Sequence, residues 1–287
     1  MLEMLINPKR AERNPWEMLF IGAFYATLSL ILVRWIFMAD PVLSKYAGIL
    51  VVTFCVMFSM PFMYFAIKNE EQKDLQGRGL TRLIYEHGKA LLYFMFLFLG
   101  FIIAFSFWYI AFDNGNQYFR TQIETYCMIN QQSHFSECVS QYGKEIISST
   151  TGFLTSQEKI VNIFVNNVLV LTFTLIFSLI FGAGAIFILA WNASVISAAV
   201  GIFSKSDLAN LPMALGRYMI HGIPEIGSYF AGALAGGIVS IAIINHEVKS
   251  EKFWVILQDS LNLVILAVAL LFFAALIEVF ITPVIFG

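Results

Sequence analysis

Long stretches of this sequence carry few or no charged side chains, and they restrict what the chain can fold into. These stretches occupy residues 18–33, 46–67, 90–112, 160–204, 218–245 and 253–286. A helix needs about 20 mostly apolar residues to cross a bilayer. Only 13% of all residues are charged, against about 25% in an ordinary soluble domain. The sequence therefore predicts an all-α polytopic membrane protein.

The stretch at residues 160–204 is too long for one transmembrane helix. At about 1.5 Å per residue, it would measure roughly twice the hydrocarbon thickness of a bilayer. We expect a break at residues 190–192, with a full span before it and a short apolar segment, 193–203, after it. So short a helix covers only about 18 Å, which is typical of a re-entrant or half-membrane element shielded from lipid by protein. The sequence thus predicts about six transmembrane helices plus this one short helix.

Basic residues indicate the orientation of the N-terminal half. They precede the first span and fill the segment between the second and third spans: Lys9, Arg10, Arg13, Lys68, Lys73, Arg78, Arg82 and Lys89. Such segments stay on the cytoplasmic side, so we expect a multi-pass protein of the plasma membrane with a cytoplasmic N-terminus. In the C-terminal half, Lys205 and Arg217 balance Lys249 and Lys252 whether the short segment crosses the membrane or re-enters, which leaves both alternatives and the orientation there open.

The loop at residues 113–158 then lies outside the cytoplasm, and it contains Cys127 and Cys138. Thiols outside the cytoplasm tend to oxidise, whereas thiols inside stay reduced. We therefore predict a disulfide between these two cysteines, and the alternative is two unpaired thiols. The loop is too long for a simple turn, so a small folded cap or a partner-binding surface is expected there.

Small residues recur at every fourth position within residues 218–245, at Ser228, Gly232, Gly236 and Ser240. Residues four apart share one helix face, so another helix can approach this ridge closely. Packing within one chain is favoured over a homodimer seam. The third span is rich in phenylalanine, and we expect it at the periphery, facing lipid.

Polar side chains inside the apolar stretches are the candidate site residues. His221 and Glu225 lie four residues apart and therefore share a helix face. Ionisable groups at membrane depth are functional candidates by default, and the alternative is a hydrogen-bonded pair that orders the start of the helix. The other polar residues expected to line this site are Asn166, Asn167, Asn192 and Glu278, with Arg34 as a candidate partner of Glu278.

Signatures of enzymes and of metal or nucleic-acid sites are missing from the sequence. It contains no HExxH, GxSxG or P-loop motif. His87, His134 and His246 show no metal-ligand spacing. A net charge of −2 argues against nucleic acid as a partner. We therefore expect a protein without catalytic activity, cofactor or metal, whose surroundings are the lipid bilayer.

The C-terminal pattern resembles the stage II sporulation protein M (SpoIIM) family of membrane proteins. The resemblance rests on Asn166-Asn167, Gly182, Gly184, Asn192, His221-Gly222-Ile223-Pro224-Glu225 and the small-residue run 231–237. It covers about residues 160–283, with one departure, since Asn192-Ala193 stands where Asn-Gly is usual.

The resemblance implies three regions. Residues 1–89 hold the N-terminal cytoplasmic segment, a transmembrane hairpin and a cytoplasmic loop, and the first two spans look like an addition to the family's pattern. Residues 90–159, the third span and the external loop, correspond to the family's first span and loop. Residues 160–287 form the SpoIIM-like membrane core.

The resemblance also implies a non-enzymatic role. In endospore-forming bacteria, the family member belongs to a membrane complex with two cell-wall-degrading proteins and is needed for engulfment. A scaffold or assembly factor for a cell-envelope complex is therefore expected, with other membrane or envelope proteins as partners. The competing interpretation is a transporter or channel with a midplane polar site around His221, Glu225 and Asn192, because discontinuous helices build such sites in many carriers.

Overall fold

A computed structural model describes residues 14–73, 80–112, 114–130, 138–139, 156–181, 185–204, 209, 211–245 and 250–286. The regular structure within these ranges is helical. The helices are α1 (Glu17–Ile36), α2 (Ala47–Lys73), α3 (Leu80–Ala111), α4 (Gly115–Tyr118), α5 (Arg120–Asn130), α6 (Ser156–Phe181), α7 (Ile186–Ser204), α8 (Leu211–Ile244), α9 (Glu251–Leu276) and α10 (Thr282–Phe286). A 3-10 turn, Leu43–Tyr46, precedes α2, and a π-helical segment, Ile277–Ile281, joins α9 to α10.

Seven helices of the described chain are long and apolar enough to cross a membrane. They are α1, α2, α3, α6, α7, α8 and α9 together with its extension to Phe286. This confirms the predicted all-α polytopic class.

The break in the long uncharged stretch lies elsewhere than predicted. Helix α7 runs without interruption through residues 190–192, and the chain leaves α6 at Phe181 and enters α7 at Ile186. Asn192 does not end a helix, because its side-chain amide donates to the carbonyl of Ile188 within α7 (2.8 Å). The short segment is therefore a helix of 19 residues, or about 28 Å. The predicted break at Asn192 is wrong, and the helix that replaces the short segment is long and apolar enough to cross a membrane.

Polar contacts at one end of the bundle connect α2, α3 and α9. The Glu70 carboxylate lies 2.8 Å from Nδ1 of His87, and both side chains are about 1% exposed. Lys252, at the start of α9, donates to the carboxylate of Glu71 at 2.6 Å. We call this the Glu70 end of the bundle. It holds the C-terminal part of α2 and the N-terminal parts of α3 and α9.

Contacts along the helices show that consecutive spans alternate in direction. Helix α7 runs parallel to α3, because the Ser197 hydroxyl donates to the carbonyl of Ile102 (3.2 Å) and Gly201, one turn later, lies against the ring of Tyr109. Helix α8 runs parallel to α6 and ends near Ile67 on α2. Therefore α1, α3, α7 and α9 leave the Glu70 end, while α2, α6 and α8 approach it, as seven complete crossings require.

Helix α3 lies in the core, which corrects the expectation that the phenylalanine-rich span faces lipid. Phe94, Phe98, Phe101 and Phe105 are each at most 2% exposed. Phe94 and Phe98 contact the ring of Phe230 on α8, with ring centroids 5.5 and 6.1 Å apart. Large rings fill the space between neighbouring helices, and aromatic pairs at this spacing attract each other beyond simple burial.

Helix α1 packs closely along α3. A Cβ atom on Gly100 would lie 2.8 Å from the backbone nitrogen of Ala23, so the two backbones approach as far as glycine allows. Trp108 donates its indole N–H to the hydroxyl of Thr27 at 3.0 Å. The first span is therefore an integral part of the bundle.

The segment that follows α3 lies against the bundle at the end opposite Glu70. Cys127 on α5 forms a disulfide with Cys138, with the two Cα atoms 5.8 Å apart. Gln122 is fully buried, and its amide donates to the carbonyl of Gly48 on α2 (3.0 Å) and to the hydroxyl of Ser194 on α7 (3.2 Å). Helix α5 is thus attached to two transmembrane helices and to Cys138.

Candidate functional site

A polar cluster forms where α8 passes the π-helical segment and α10. His221 and Glu225 lie one turn apart on α8, and Thr282 and Glu278 lie opposite them on the antiparallel chain. The hydroxyl of Thr282 is 3.4 Å from Nδ1 of His221. The carboxyl group of Glu278 is close enough to that of Glu225 to interact electrostatically. The predicted common face of His221 and Glu225 therefore meets a second acidic residue.

Neutral donors surround the carboxyl group of Glu225. Tyr229, one turn further along α8, donates its hydroxyl to Oε1 of Glu225 at 3.0 Å. The side chain of Asn167 on α6 lies near enough to interact with this carboxyl group, and Asn167 is only 6% exposed. Within the described chain, neither Glu225 nor Glu278 forms an ion pair with a lysine or arginine. Arg217, one turn before His221 on α8, acts electrostatically on His221.

Two prolines account for the local backbone of the site. Pro224 lies inside α8 and has no amide hydrogen, so it leaves the carbonyl of Ile220 without its usual helical donor. Pro283 likewise cannot donate to the carbonyl of Val279. The wider π-helical turn lies directly before it, and the hydroxyl of Thr282 donates to the carbonyl of Ile277 (3.3 Å). Single π turns within helices are frequent at functional sites, and this one carries Glu278.

Three of the expected partners lie away from this cluster. Asn166 is exposed on α6, while Asn167 is buried, because adjacent residues of a helix point about 100° apart. Asn192 makes its hydrogen bond within α7. Arg34 stacks on the ring of Phe112 with its guanidinium 4.5 Å from the ring centroid, and it is not a partner of Glu278.

The structure adds Tyr229 and Thr282 to the site. The place of Tyr229 in the site could have been predicted from the sequence, since Tyr229 lies four residues after Glu225 on the same predicted helix face. The place of Thr282 could not have been predicted, because its position opposite His221 depends on how α10 follows the π-helical turn.

The small-residue ridge lies within the chain, against α6. Gly232 contacts the side chain of Leu171, and a Cβ atom on Gly236 would lie 2.6 Å from the carbonyl oxygen of Leu175. The Ser228 hydroxyl donates to the carbonyl of Glu225 (2.6 Å), and Ser240 is buried. The ridge therefore lets α6 approach α8, which brings Asn167 to Glu225.

The cluster is not arranged as a metal centre. Across the ranges that the structure describes, no three His, Cys, Asp or Glu side chains are grouped closely enough to hold a metal ion. The cluster can exchange hydrogen bonds or protons through its hydroxyl, amide and carboxyl groups.

Comparison with known families identifies the chain. The model of the family described as stage II sporulation protein M matches residues 50–283. The chain belongs to the SpoIIM family. The match begins within α2, so the second span is part of the family region and is not an addition, which corrects the expected start near residue 160. Searches of curated proteins and of solved structures found no match.

Proposed function

We propose that this SpoIIM family member is a non-enzymatic scaffold or assembly factor that holds other envelope proteins at the outer face of the plasma membrane. The observation that carries the proposal is the attachment of α5 to the bundle through Gln122. A fixed surface outside the membrane suits a scaffold, because a partner that binds it does not have to order a mobile segment first.

The contacts of Gln122 show how firmly α5 is held. Its amide bridges Gly48 and Ser194, which lie on different transmembrane helices. Leaving such a buried polar group without its partners costs about 1 to 3 kcal/mol. Tyr126 and Cys127, on the following turn, are also buried. The exposed side of α5 therefore keeps one orientation relative to the membrane.

Copurification from native membranes tests the scaffold. We expect the tagged chain to enrich a defined set of envelope proteins, and Gln122→Ala to lose them while the bundle stays folded in detergent, with its melting temperature lowered only by the loss of these two hydrogen bonds. Thr125→Ala is the matched control, because the Thr125 hydroxyl donates only to the carbonyl of Thr121 within α5. Enrichment no greater than that of an unrelated membrane protein, or the same enrichment for Gln122→Ala, would contradict the proposal.

The apposed carboxyl groups of Glu225 and Glu278 favour a second candidate, proton- or cation-coupled transport. Acidic residues within transmembrane helices are rare, and they often mark ion pathways and proton relays. We expect Glu225→Gln and Glu278→Gln to keep the fold and abolish proton- or cation-dependent flux in reconstituted vesicles, with Glu124→Gln on α5 as the control. A wild-type chain without measurable flux would exclude transport and leave the scaffold.

The proposed orientation follows from the alternation of the helices. Basic segments are retained in the cytoplasm, and Lys68 and Lys89 flank the Glu70 end of the bundle. We place this end in the cytoplasm, together with the start of α1. The contact between Glu71 and Lys252 then brings the start of α9 to the same side. Helix α5, its disulfide and the end of α10 consequently lie outside.

A further inference from the structure

Helix α6 presents a regular exposed face that no other described part of the chain covers. Only 22% of its span is buried, against 89% for α8. One line along this exposed face consists of Asn162, Asn166, Leu169, Phe173, Ile176 and Ile180, and Val161, Val165, Thr172, Phe177 and Leu179 are exposed beside it. These residues alternate in spacing by four and three, which is the a/d repeat of two helices that pack along a common seam. The opposite face, which includes Leu171 and Ser178, is buried against α8.

Two amides within this face distinguish it from an ordinary lipid-facing surface. Asn166 lies nine residues after Gln157, where the candidate span begins, which is about 14 Å along the helix. Its one hydrogen bond is a long one to the neighbouring Asn167 (3.5 Å). Asn162, one turn earlier, makes no hydrogen bond to any described residue. Leucine and phenylalanine side chains are stable in hydrocarbon. Hydrocarbon offers an amide neither a hydrogen-bond donor nor a hydrogen-bond acceptor.

We propose that two copies of this chain pair through α6, with Asn162 and Asn166 hydrogen-bonded across the seam to the same residues of the second copy. An asparagine amide carries both donors and an acceptor, so it is complementary to itself. Copies of one membrane protein insert in the same orientation, and a two-fold axis along the membrane normal therefore brings equal residues together at equal depth. Asparagine at an a position is also known to set register and partner in paired helices.

The pairing goes beyond the proposed scaffold and does not depend on it. It leaves the ridge of α8 inside each copy, so the seam differs from the small-residue seam considered from the sequence. The exposed face of α9 includes Leu261 and Ile265 (58% and 60% exposed). It carries one exposed amide, Gln258, in place of two asparagines one turn apart, and it provides the internal comparison.

Cysteine cross-linking in native membranes tests the pairing. In a Cys55→Ser background, we expect Leu169→Cys and Phe173→Cys to give a covalent dimer on mild oxidation, because both lie on the seam. Ile265→Cys, equally exposed on α9, should remain monomeric. Equal cross-linking at residues 169 and 265, or none at either, would overturn the proposal. Cross-linking of Leu169→Cys to a different polypeptide would overturn it as well.

The double variant Asn162→Leu, Asn166→Leu separates pairing from folding. We expect it to lower the cross-linked fraction of Leu169→Cys about fivefold or more, because the interhelical hydrogen bonds are lost. Its melting temperature in detergent should match that of the parent chain, since Asn162 makes no hydrogen bond to the described residues and Asn166 makes only the long one to Asn167. An undiminished cross-linked fraction, or a lower melting temperature of the monomer, would contradict the proposal.

Discussion

Glu71 and Lys252 connect two helices that are far apart in the sequence. Glu71 is 2% exposed and Lys252 is 20% exposed, and their charged atoms are 2.6 Å apart. A buried ion pair contributes little compared with apolar residues of the same shape, but removal of one partner leaves a charge in a poorly solvated place. Replacing one partner and replacing both partners should therefore have different effects on the stability of the bundle.

We expect Lys252→Met to lower the free energy of unfolding by about 3 kcal/mol, the low end for a broken buried pair, because Lys252 keeps some contact with water. The double variant Glu71→Leu, Lys252→Met should recover most of this loss. Chemical unfolding in detergent, followed by circular dichroism, measures both. A double variant that is less stable than Lys252→Met alone would show that the pair itself stabilises the bundle.

Asp40 organises the turn between α1 and α2. Its carboxylate accepts hydrogen bonds from the backbone amides of Val42 and Leu43 (2.8 and 2.9 Å). These bonds lower the pKa of Asp40 below its ordinary value of 3.8. The stabilisation is complete above this ordinary pKa and is lost only as the pH falls through the lower, folded-state pKa.

The amide resonances of Val42 and Leu43 report this titration by nuclear magnetic resonance. Between pH 2 and pH 6 we expect them to shift with a midpoint below 3.8, and Asp40→Asn should abolish the transition. A midpoint at or above the ordinary value would contradict the two hydrogen bonds.

Helix α8 is the element around which the bundle is built, because its glycines admit neighbouring helices. At Gly236 the backbone of α6 is so close that a methyl group would collide with the carbonyl of Leu175. At Gly227, on the same helix, an added Cβ atom would make only an ordinary contact with Met95 at 3.8 Å. The two positions therefore form a matched pair.

We expect Gly236→Ala to lower the free energy of unfolding by about 1 to 3 kcal/mol, because the collision is with backbone atoms that cannot rotate away. Gly227→Ala should be neutral or stabilising by up to about 1 kcal/mol, since alanine favours the helix. Thermal melting in detergent compares the two. Equal melting temperatures would show that α6 and α8 can separate without cost.

At the scale of the whole molecule, seven helices that are long enough to cross a membrane alternate in direction, so we expect the two ends of the bundle on opposite sides of the membrane. Lys89, at the start of α3, is exposed near the Glu70 end. Val284, close to the end of α10, is 83% exposed near the opposite end. The native cysteines interfere little with labelling, because Cys127 and Cys138 are bonded and Cys55 is buried.

A membrane-impermeant maleimide should label Val284→Cys in intact cells and Lys89→Cys only after permeabilisation. Labelling of Lys89→Cys in intact cells would reverse the proposed orientation, and labelling of both engineered cysteines from the same side would contradict seven crossings.

Much of the fold could be predicted from the sequence, because hydropathy and helical period are local properties. The uncharged stretches predict the spans, and the cysteine pair in a polar loop predicts the disulfide. A four-residue spacing also places His221 with Glu225, and Gly232 with Gly236, on common faces. The family resemblance rested on the same motifs, and the family match confirms it over a longer range.

Tertiary structure alone decided which neighbour each face meets. Asn166 and Asn167 are equivalent in the sequence, but only Asn167 turns toward Glu225, because α6 packs along the glycines of α8. The phenylalanines of α3 suit lipid and protein equally, since both are apolar, and the contact with α8 buries them. Asn192 is compatible with a helix break or with a helix interior, and its hydrogen bond to Ile188 selects the interior. In a membrane, apolarity does not distinguish the protein interior from the lipid-facing surface, so the burial of a side chain depends on the contacts between helices.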